Sequence, residues 1–103
     1  MTAGGGAPEG EVVGVITREL AIVNEKGLHA RASARFVETV ERFDARALVE
    51  RDGERVAGDS TMGLLMLCAP CGASITVTTR GPEATALMEA LAQLVADRFG
   101  EGA

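Results

Sequence analysis

The sequence predicts an α+β domain, a two-layer open-faced sandwich in which helices cover one face of an antiparallel four-stranded sheet, in the order βαββαβα. Two observations predict this class. Apolar residues change repeatedly between the period of two that is typical of strands and the period near 3.6 that is typical of helices. An Asp-Gly pair, residues 52 and 53, also separates two alternating runs, which is a strong signal for a β-hairpin.

The first strand and the first helix are predicted on either side of a turn. In residues 17–23, Leu20 and Ile22 alternate with polar or small neighbours, and "NEKG" then ends the strand. A helix is predicted from Ala30 to about Arg42 because apolar and small residues repeat at helical spacing. This stripe consists of Ala30, Ser33, Ala34, Phe36, Val37 and Val40.

The hairpin and the element after it are predicted from residues 45–67. The runs "ARALVER" and "ERVAG" form the two strands, with Ala47, Val49 and Val56 expected in the core. Asp59 or Ser60 then caps a short helix that extends through Leu67.

This short helix is apolar nearly all the way round. A two-turn helix in a small domain cannot bury every such side chain, so we expect some to face solvent. Met62, Leu65 and Met66 are the residues expected to dock a partner, because methionine side chains adapt to different surfaces.

The last strand and the last helix complete the order. Residues 73–79 alternate, with Ile75 and Val77 expected inward and the threonines outward. Pro82 is expected at the first position of a helix whose apolar period continues until Gly100.

Composition predicts one domain at residues 17–99, between a flexible glycine-rich leader (1–16) and a short tail (100–103). The net charge of -5 argues against nucleic-acid binding, as does the near absence of aromatic residues. No apolar run is long enough to span a membrane, and the N-terminal residues do not resemble a secretory signal. A cytoplasmic location is therefore expected.

Cys68 and Cys71 form a single "CAPC" whose spacing suits a redox pair or half of a zinc site. Zinc needs about four ligands, and the one histidine lies far upstream with no second cysteine pair to join it. The expectation is two small residues in a turn, with no metal and no cofactor; the alternative is a redox or metal role for the pair.

His29, the one histidine of the chain, is predicted at the start of the first helix. It could be an ordinary surface or capping histidine. Three features favour a reactive histidine instead. Gly27 and Leu28 allow a sharp turn that is anchored to the core, and the N-terminal end of the helix attracts anions. Arg31 can also pair with phosphate oxygens. A neutral imidazole is a competent nucleophile near pH 7, and this pattern favours a carrier of phosphoryl groups.

The motif "GLHARAS", followed by the Asp-Gly hairpin and "DSTMGLLML", resembles the HPr family, the histidine-containing phosphocarriers of the bacterial phosphotransferase system. The likeness runs from about residue 17 to residue 99. Most members continue with Pro-Ala where this chain has Ala32 and Ser33, a version that resembles a proteobacterial, nitrogen-related or regulatory branch.

The resemblance implies that His29 carries the phosphoryl group on ring Nδ1 and that Arg31 stabilises it. It implies Enzyme I as the donor, IIA-type proteins as acceptors, and Ser60 as the target of a serine kinase in some members. We expect a monomer and not a stand-alone enzyme. Two other interpretations remain open: a binding-only regulator that docks a partner without transfer, and a thiol-dependent protein acting through Cys68 and Cys71.

Overall fold

A computed structural model describes residues 11–12 and 14–103. The elements follow the predicted order, with one short strand added before them. They are β1 (Glu11–Val12), β2 (Val15–Ala21), α1 (Ala30–Glu41), β3 (Arg46–Arg51), β4 (Glu54–Ala57), α2 (Thr61–Met66), β5 (Ser74–Arg80) and α3 (Ala84–Ala96), followed by a 3₁₀ turn at Arg98–Gly100.

The sheet is antiparallel throughout, in the strand order β1-β2-β5-β3-β4. The four long strands confirm the predicted open antiparallel sheet. The two-residue β1 pairs with β2 at the sheet edge, and β2 itself begins at Val15. Strand pairing therefore starts inside the segment that we assigned to the leader, because Val15 and Ile16 join the alternation of β2. Residues 1–10 of that leader lie outside the described residues.

The core lies between the helices and one face of the sheet. Val49, Ile75 and Val77 point from the strands into this layer and are fully buried. Phe36 of α1, Leu64 of α2 and the apolar face of α3 cover them from the other side. The opposite face of the sheet is hydroxyl-rich and solvent-exposed, and there Thr17 and Thr78 are hydrogen-bonded across neighbouring strands at 3.1 Å.

The buried stripe of α1 differs from the predicted one. Ala30 is exposed, whereas Ala32 and Thr39 are buried together with Ser33, Phe36 and Val40. The hydroxyls of Ser33 and Thr39 donate to the backbone carbonyls of Leu28 and Arg35, at 3.3 and 3.0 Å. These two hydroxyls can be buried because each has a hydrogen-bond partner. The predicted stripe omitted Thr39 because it was chosen mainly by apolar character.

The hairpin turn and the cap of α2 follow the predictions. Asp52 and Gly53 both have positive φ, 51° and 83°, as a type I′ turn requires. Ser60 is the N-cap of α2, and its Oγ accepts a hydrogen bond from the Gly63 N–H at 3.0 Å. Ala47 and Val49 are buried as expected, and Val56 packs half-buried against the core.

The region before α3 contains two corrections. Pro82 lies in the turn that precedes the helix, which begins at Ala84 and not at the proline. Thr79 points inward although we expected the threonines outward, because its Oγ1 donates to the Ala84 carbonyl at 2.8 Å and links β5 to α3. None of the helices in the described part of the chain has the length and apolar character needed to cross a membrane.

Candidate functional site

His29 occupies the N-cap position of α1. Its backbone is extended, with φ -81° and ψ -176°, and its carbonyl accepts the first hydrogen bond of the helix from the Ser33 N–H at 2.8 Å. Ring Nδ1 accepts a hydrogen bond from the Arg31 N–H at 3.3 Å. Because a backbone N–H can only donate, Nδ1 presents a lone pair at the positive end of the helix dipole.

The loop before His29 is held against the turn that contains the two cysteines. The Leu28 N–H donates to the Ala69 carbonyl at 2.8 Å, and the Leu28 side chain is buried. Gly27 has φ +68°, and a Cβ there would lie 2.5 Å from the Ala69 oxygen and 2.9 Å from Pro70 Cα. Only glycine fits this approach, so the position of His29 depends on a contact between two distant segments.

The other ring nitrogen is bonded to a residue near the end of the chain. Nε2 of His29 is hydrogen-bonded to Glu101 Oε2. The second carboxylate oxygen, Oε1, accepts from Asn24 Nδ2 at 3.0 Å, and the same Nδ2 donates to the Gly27 carbonyl at 2.7 Å. Asn24 is fully buried, so it ties Glu101 to the loop that carries His29.

The chain end reaches the ring of His29 through a left-handed turn. Arg98, Phe99 and Gly100 have φ values of 55°, 55° and 76°. Left-handed backbone costs a non-glycine residue about 1–2 kcal/mol, and burial of the Phe99 ring, which is fully buried, offsets that cost. The turn reverses the chain after α3 and brings Glu101 back to the start of α1.

Electrostatics favour an ionised Glu101. Desolvation alone would raise its pKa, but hydrogen bonds from Asn24 and His29 and the positive charges of His29 and Lys26 outweigh it, so the pKa lies below the ordinary value of 4.5. The carboxylate therefore accepts from Nε2, and in the neutral ring the unprotonated nitrogen is Nδ1, which can act as a nucleophile. The His29 side chain is 27% exposed, which leaves the ring accessible to a partner.

Comparison with known proteins shows the family of the chain. A family profile described as "PTS HPr component phosphorylation site" matches residues 16–97. The chain belongs to the HPr family. It is 41% identical over 88 residues to the phosphocarrier protein HPr of Cupriavidus necator, an alignment that spans 85% of this chain and 99% of that one. HPr of Neisseria meningitidis serogroup A is 40% identical over the same shares of the two chains.

The solved structures of HPr proteins show the same fold. The crystal structure of HPr-C-His from Thermoanaerobacter tengcongensis superimposes with a TM-score of 0.80 and 32% sequence identity, covering 84% of this chain and 98% of that one. The predicted α+β sandwich and the predicted resemblance to HPr are both confirmed.

The other predicted site residues of this HPr protein lie on the first two helices. Arg31 is exposed on the first turn of α1, and none of its side-chain nitrogens is within 4.0 Å of a described carboxylate oxygen. Met62 and Met66 are 68% and 64% exposed on α2, while Leu65 is half-buried. Helix α2 packs against α1, and the turn that follows α2 contacts Gly27 of the loop before His29.

Cys68 and Cys71 are free and exposed. Cys68 has φ 51°, which begins the turn whose Ala69 carbonyl holds Leu28. Across residues 11–12 and 14–103, no three histidine, cysteine or acidic side chains are grouped closely enough to hold a metal ion.

Sequence reasoning missed Glu101 and Asn24. We placed Glu101 in a tail and Asn24 in a turn, without a role in the site. One signal was available: Phe99 is a large apolar residue directly before a glycine near the end of the chain, and such a residue needs a place in the core.

Proposed function

We propose that this HPr protein accepts a phosphoryl group from Enzyme I on Nδ1 of His29 and passes it to a IIA-type acceptor. The observation that carries the proposal is the orientation of the ring. Nδ1 accepts from the first turn of α1, whereas Nε2 is hydrogen-bonded to Glu101. The nitrogen at the helix N-terminus is therefore the unprotonated one, and its lone pair can attack once the long hydrogen bond from the Arg31 N–H is displaced.

Transfer needs positioning and charge stabilisation rather than a cofactor. The Nδ1 lone pair attacks the phosphorus atom of the phosphorylated donor, the bond from phosphorus to the donor atom breaks, and its electron pair stays with the donor. The first N–H groups of α1, which have no partner within the helix, face the added phosphoryl oxygens. Arg31 is exposed on that turn and supplies a guanidinium that can bind two oxygens at once.

Docking involves the outward side chains of α2 in this proposal. Met62 and Met66 expose apolar surface on α2, which packs against the helix that His29 caps, and Leu65 is half-buried. A flexible methionine surface can fit both a donor and an acceptor, and a small contact suits a complex that must dissociate after each transfer. We propose that the protein acts as a monomer in the cytoplasm, since a relay must diffuse between its partners.

Regulation by a serine kinase is a further part of the proposal. Ser60 caps α2 two residues before Met62, so a phosphate there would change the charge of the proposed docking surface. Asp59 places a negative charge next to it and opposes the modification electrostatically. The Oγ atom already accepts from the Gly63 N–H, and a phosphoserine oxygen could take over this contact.

The test is incubation with phosphoenolpyruvate, Mg²⁺ and purified Enzyme I, followed by intact mass. The chain has a single histidine, so one acid-labile phosphate on the wild-type protein would identify His29. His29→Asn is the matched control, because asparagine is a good N-cap residue and the helix start should be kept. It should gain no phosphate.

The second step requires a labelled acceptor. Transfer to a purified IIA protein would complete the relay. A wild-type protein that gains no phosphate, beside an Enzyme I that is active on another carrier, would contradict the proposal. Detectable binding to that Enzyme I would then favour a regulator that docks without transfer.

The docking surface has its own control. Replacing Met62 and Met66 with serine should weaken Enzyme I binding about tenfold or more, because apolar contact area is lost. Leu48 is an exposed apolar residue on the opposite face of the sheet, and Leu48→Ser should leave binding unchanged. Equal effects of the two substitutions would place the docking surface elsewhere.

A further inference from the structure

We propose that Glu101 is a positioning residue for His29, whose carboxylate holds the ring proton on Nε2 and so keeps Nδ1 free to take the phosphoryl group. Only the statement that Nδ1 takes the phosphoryl group rests on the proposed function. The contact itself, and the tautomer that it selects, can be tested without any phosphoryl transfer.

The hydrogen-bond partners of the ring assign the tautomer. A carboxylate can only accept, so the Nε2 atom bonded to Glu101 must carry the hydrogen. The Arg31 N–H can only donate, so Nδ1 must be the unprotonated nitrogen. Two contacts from different parts of the chain thus select the same tautomer, and reversing it would break both.

The carboxylate is itself held in place. Asn24 is fully buried and donates to Oε1, which leaves Oε2 directed at the ring. The Glu25 N–H donates to the Ala103 carbonyl at 3.2 Å, so a second bond joins the chain end to the same loop. Lys26 on the loop favours the ionised carboxylate, and the Arg35 guanidinium of α1 lies beside Gly100, the residue before Glu101.

The same contact acts on the phosphorylated ring. Once phosphorus is bonded to Nδ1, a ring that keeps its Nε2 hydrogen is cationic, and the Glu101 carboxylate compensates that charge. In the transfer step the phosphorus–Nδ1 bond breaks and its electron pair returns to the ring, which leaves as a neutral imidazole with the hydrogen still on Nε2. No proton has to move, and the carboxylate orients and stabilises the ring as in other histidine–carboxylate pairs.

The first measurement is ¹⁵N and ¹H NMR of the His29 ring in the full chain at pH 8.5, where an ordinary imidazole is neutral. The wild-type protein should show a downfield Nε2-bound proton that exchanges slowly with water, and an unprotonated Nδ1. Glu101→Ala should lose the slow proton. Glu41→Gln removes an exposed carboxylate from the far end of α1 and should leave the signal unchanged. A proton on Nδ1 in the wild type, or an unchanged Nε2 signal in Glu101→Ala, would overturn the inference.

The second measurement is the rate of phosphoryl transfer from Enzyme I and on to a IIA protein. Glu101→Gln keeps the size of the side chain but loses the negative charge and has an NH₂ donor in place of one oxygen, so it cannot accept from Asn24 and His29 at two separate oxygens. It should slow transfer roughly tenfold, the scale of one charge-assisted hydrogen bond, with Glu41→Gln within about twofold of the wild type. A role in packing alone would leave Glu101→Gln at the wild-type rate, and that result would overturn the inference. If the wild type takes no phosphate at all, the proposed function fails while the NMR result still decides the contact.

Discussion

The close approach of Gly27 to the Ala69–Pro70 turn predicts that Gly27→Ala destabilises the protein far more than an alanine at another left-handed glycine. Gly72→Ala is the matched control, since Gly72 has φ +94° and a Cβ added there would have no atom within 4 Å. Left-handed backbone costs alanine about 1–2 kcal/mol, and the lower entropy of the unfolded chain returns about 0.4–1 kcal/mol of it. Gly72→Ala should therefore lose about 1 kcal/mol or less.

Gly27→Ala adds a steric term that the control lacks. Its Cβ would lie 2.5 Å from the Ala69 oxygen, far inside the 3.4 Å at which ordinary contact begins. Both contacting atoms belong to the backbone, so the turn must move away and weaken the hydrogen bond from the Leu28 N–H. Losing that bond and leaving its groups unsatisfied costs about 1–3 kcal/mol. We expect a total loss of about 3 kcal/mol.

Urea unfolding followed by circular dichroism measures both variants, under the two-state behaviour that is usual for small domains. With an m-value of about 1 kcal/mol/M, the unfolding midpoint of Gly27→Ala should fall about 2 M below that of Gly72→Ala. Equal midpoints would refute the reasoning, because they would mean that the Ala69–Pro70 turn moves away from Gly27 at no cost.

Three further predictions concern the caps, the charge and the chain end. Ser60→Ala removes the bond to the Gly63 N–H and should lower the free energy of unfolding by about 1 kcal/mol while His29 still accepts phosphate; a wild-type urea midpoint would contradict the capping role. Because the folded-state pKa of Glu101 lies below 4.5, its stabilisation is complete above that pH and is lost as the pH falls through the lowered pKa. Glu101→Gln should therefore be less stable than the wild type at pH 7 and converge with it in acid; a pH-independent difference would exclude the ionised contact. Phe99→Ala empties a fully buried site and should cost about 3–5 kcal/mol, and in the fraction that stays folded the slow Nε2 proton of His29 should be lost.

Local signals predicted most of the elements. The Asp52-Gly53 turn was predictable because positive φ at two adjacent positions restricts the residue types. The short helix α2 was predictable from a serine before an apolar run, and Ser60 is indeed its cap. The turn and the cap depend only on residues that are neighbours in sequence, so a local pattern is enough to predict them.

Elements that depend on tertiary hydrogen bonds were harder to predict. Thr39 and Thr79 are buried because each hydroxyl bonds to a backbone carbonyl, and polarity alone suggested the opposite. The start of α3 was misplaced for a related reason. The Glu83 side chain accepts from the Asp44 N–H at 2.6 Å, a contact to another segment that Pro82 does not reveal.

The candidate site divides in the same way. His29, Arg31 and their helix form one continuous motif, and the sequence by itself limits the proposed nucleophile to one residue, since the chain has a single histidine. Glu101 is 72 positions away along the chain, and its contact with His29 exists only because a left-handed turn and the buried Phe99 ring fold the chain end back. Only the tertiary structure decided which ring nitrogen is free, because that choice depends on a carboxylate that no local pattern connects to the histidine.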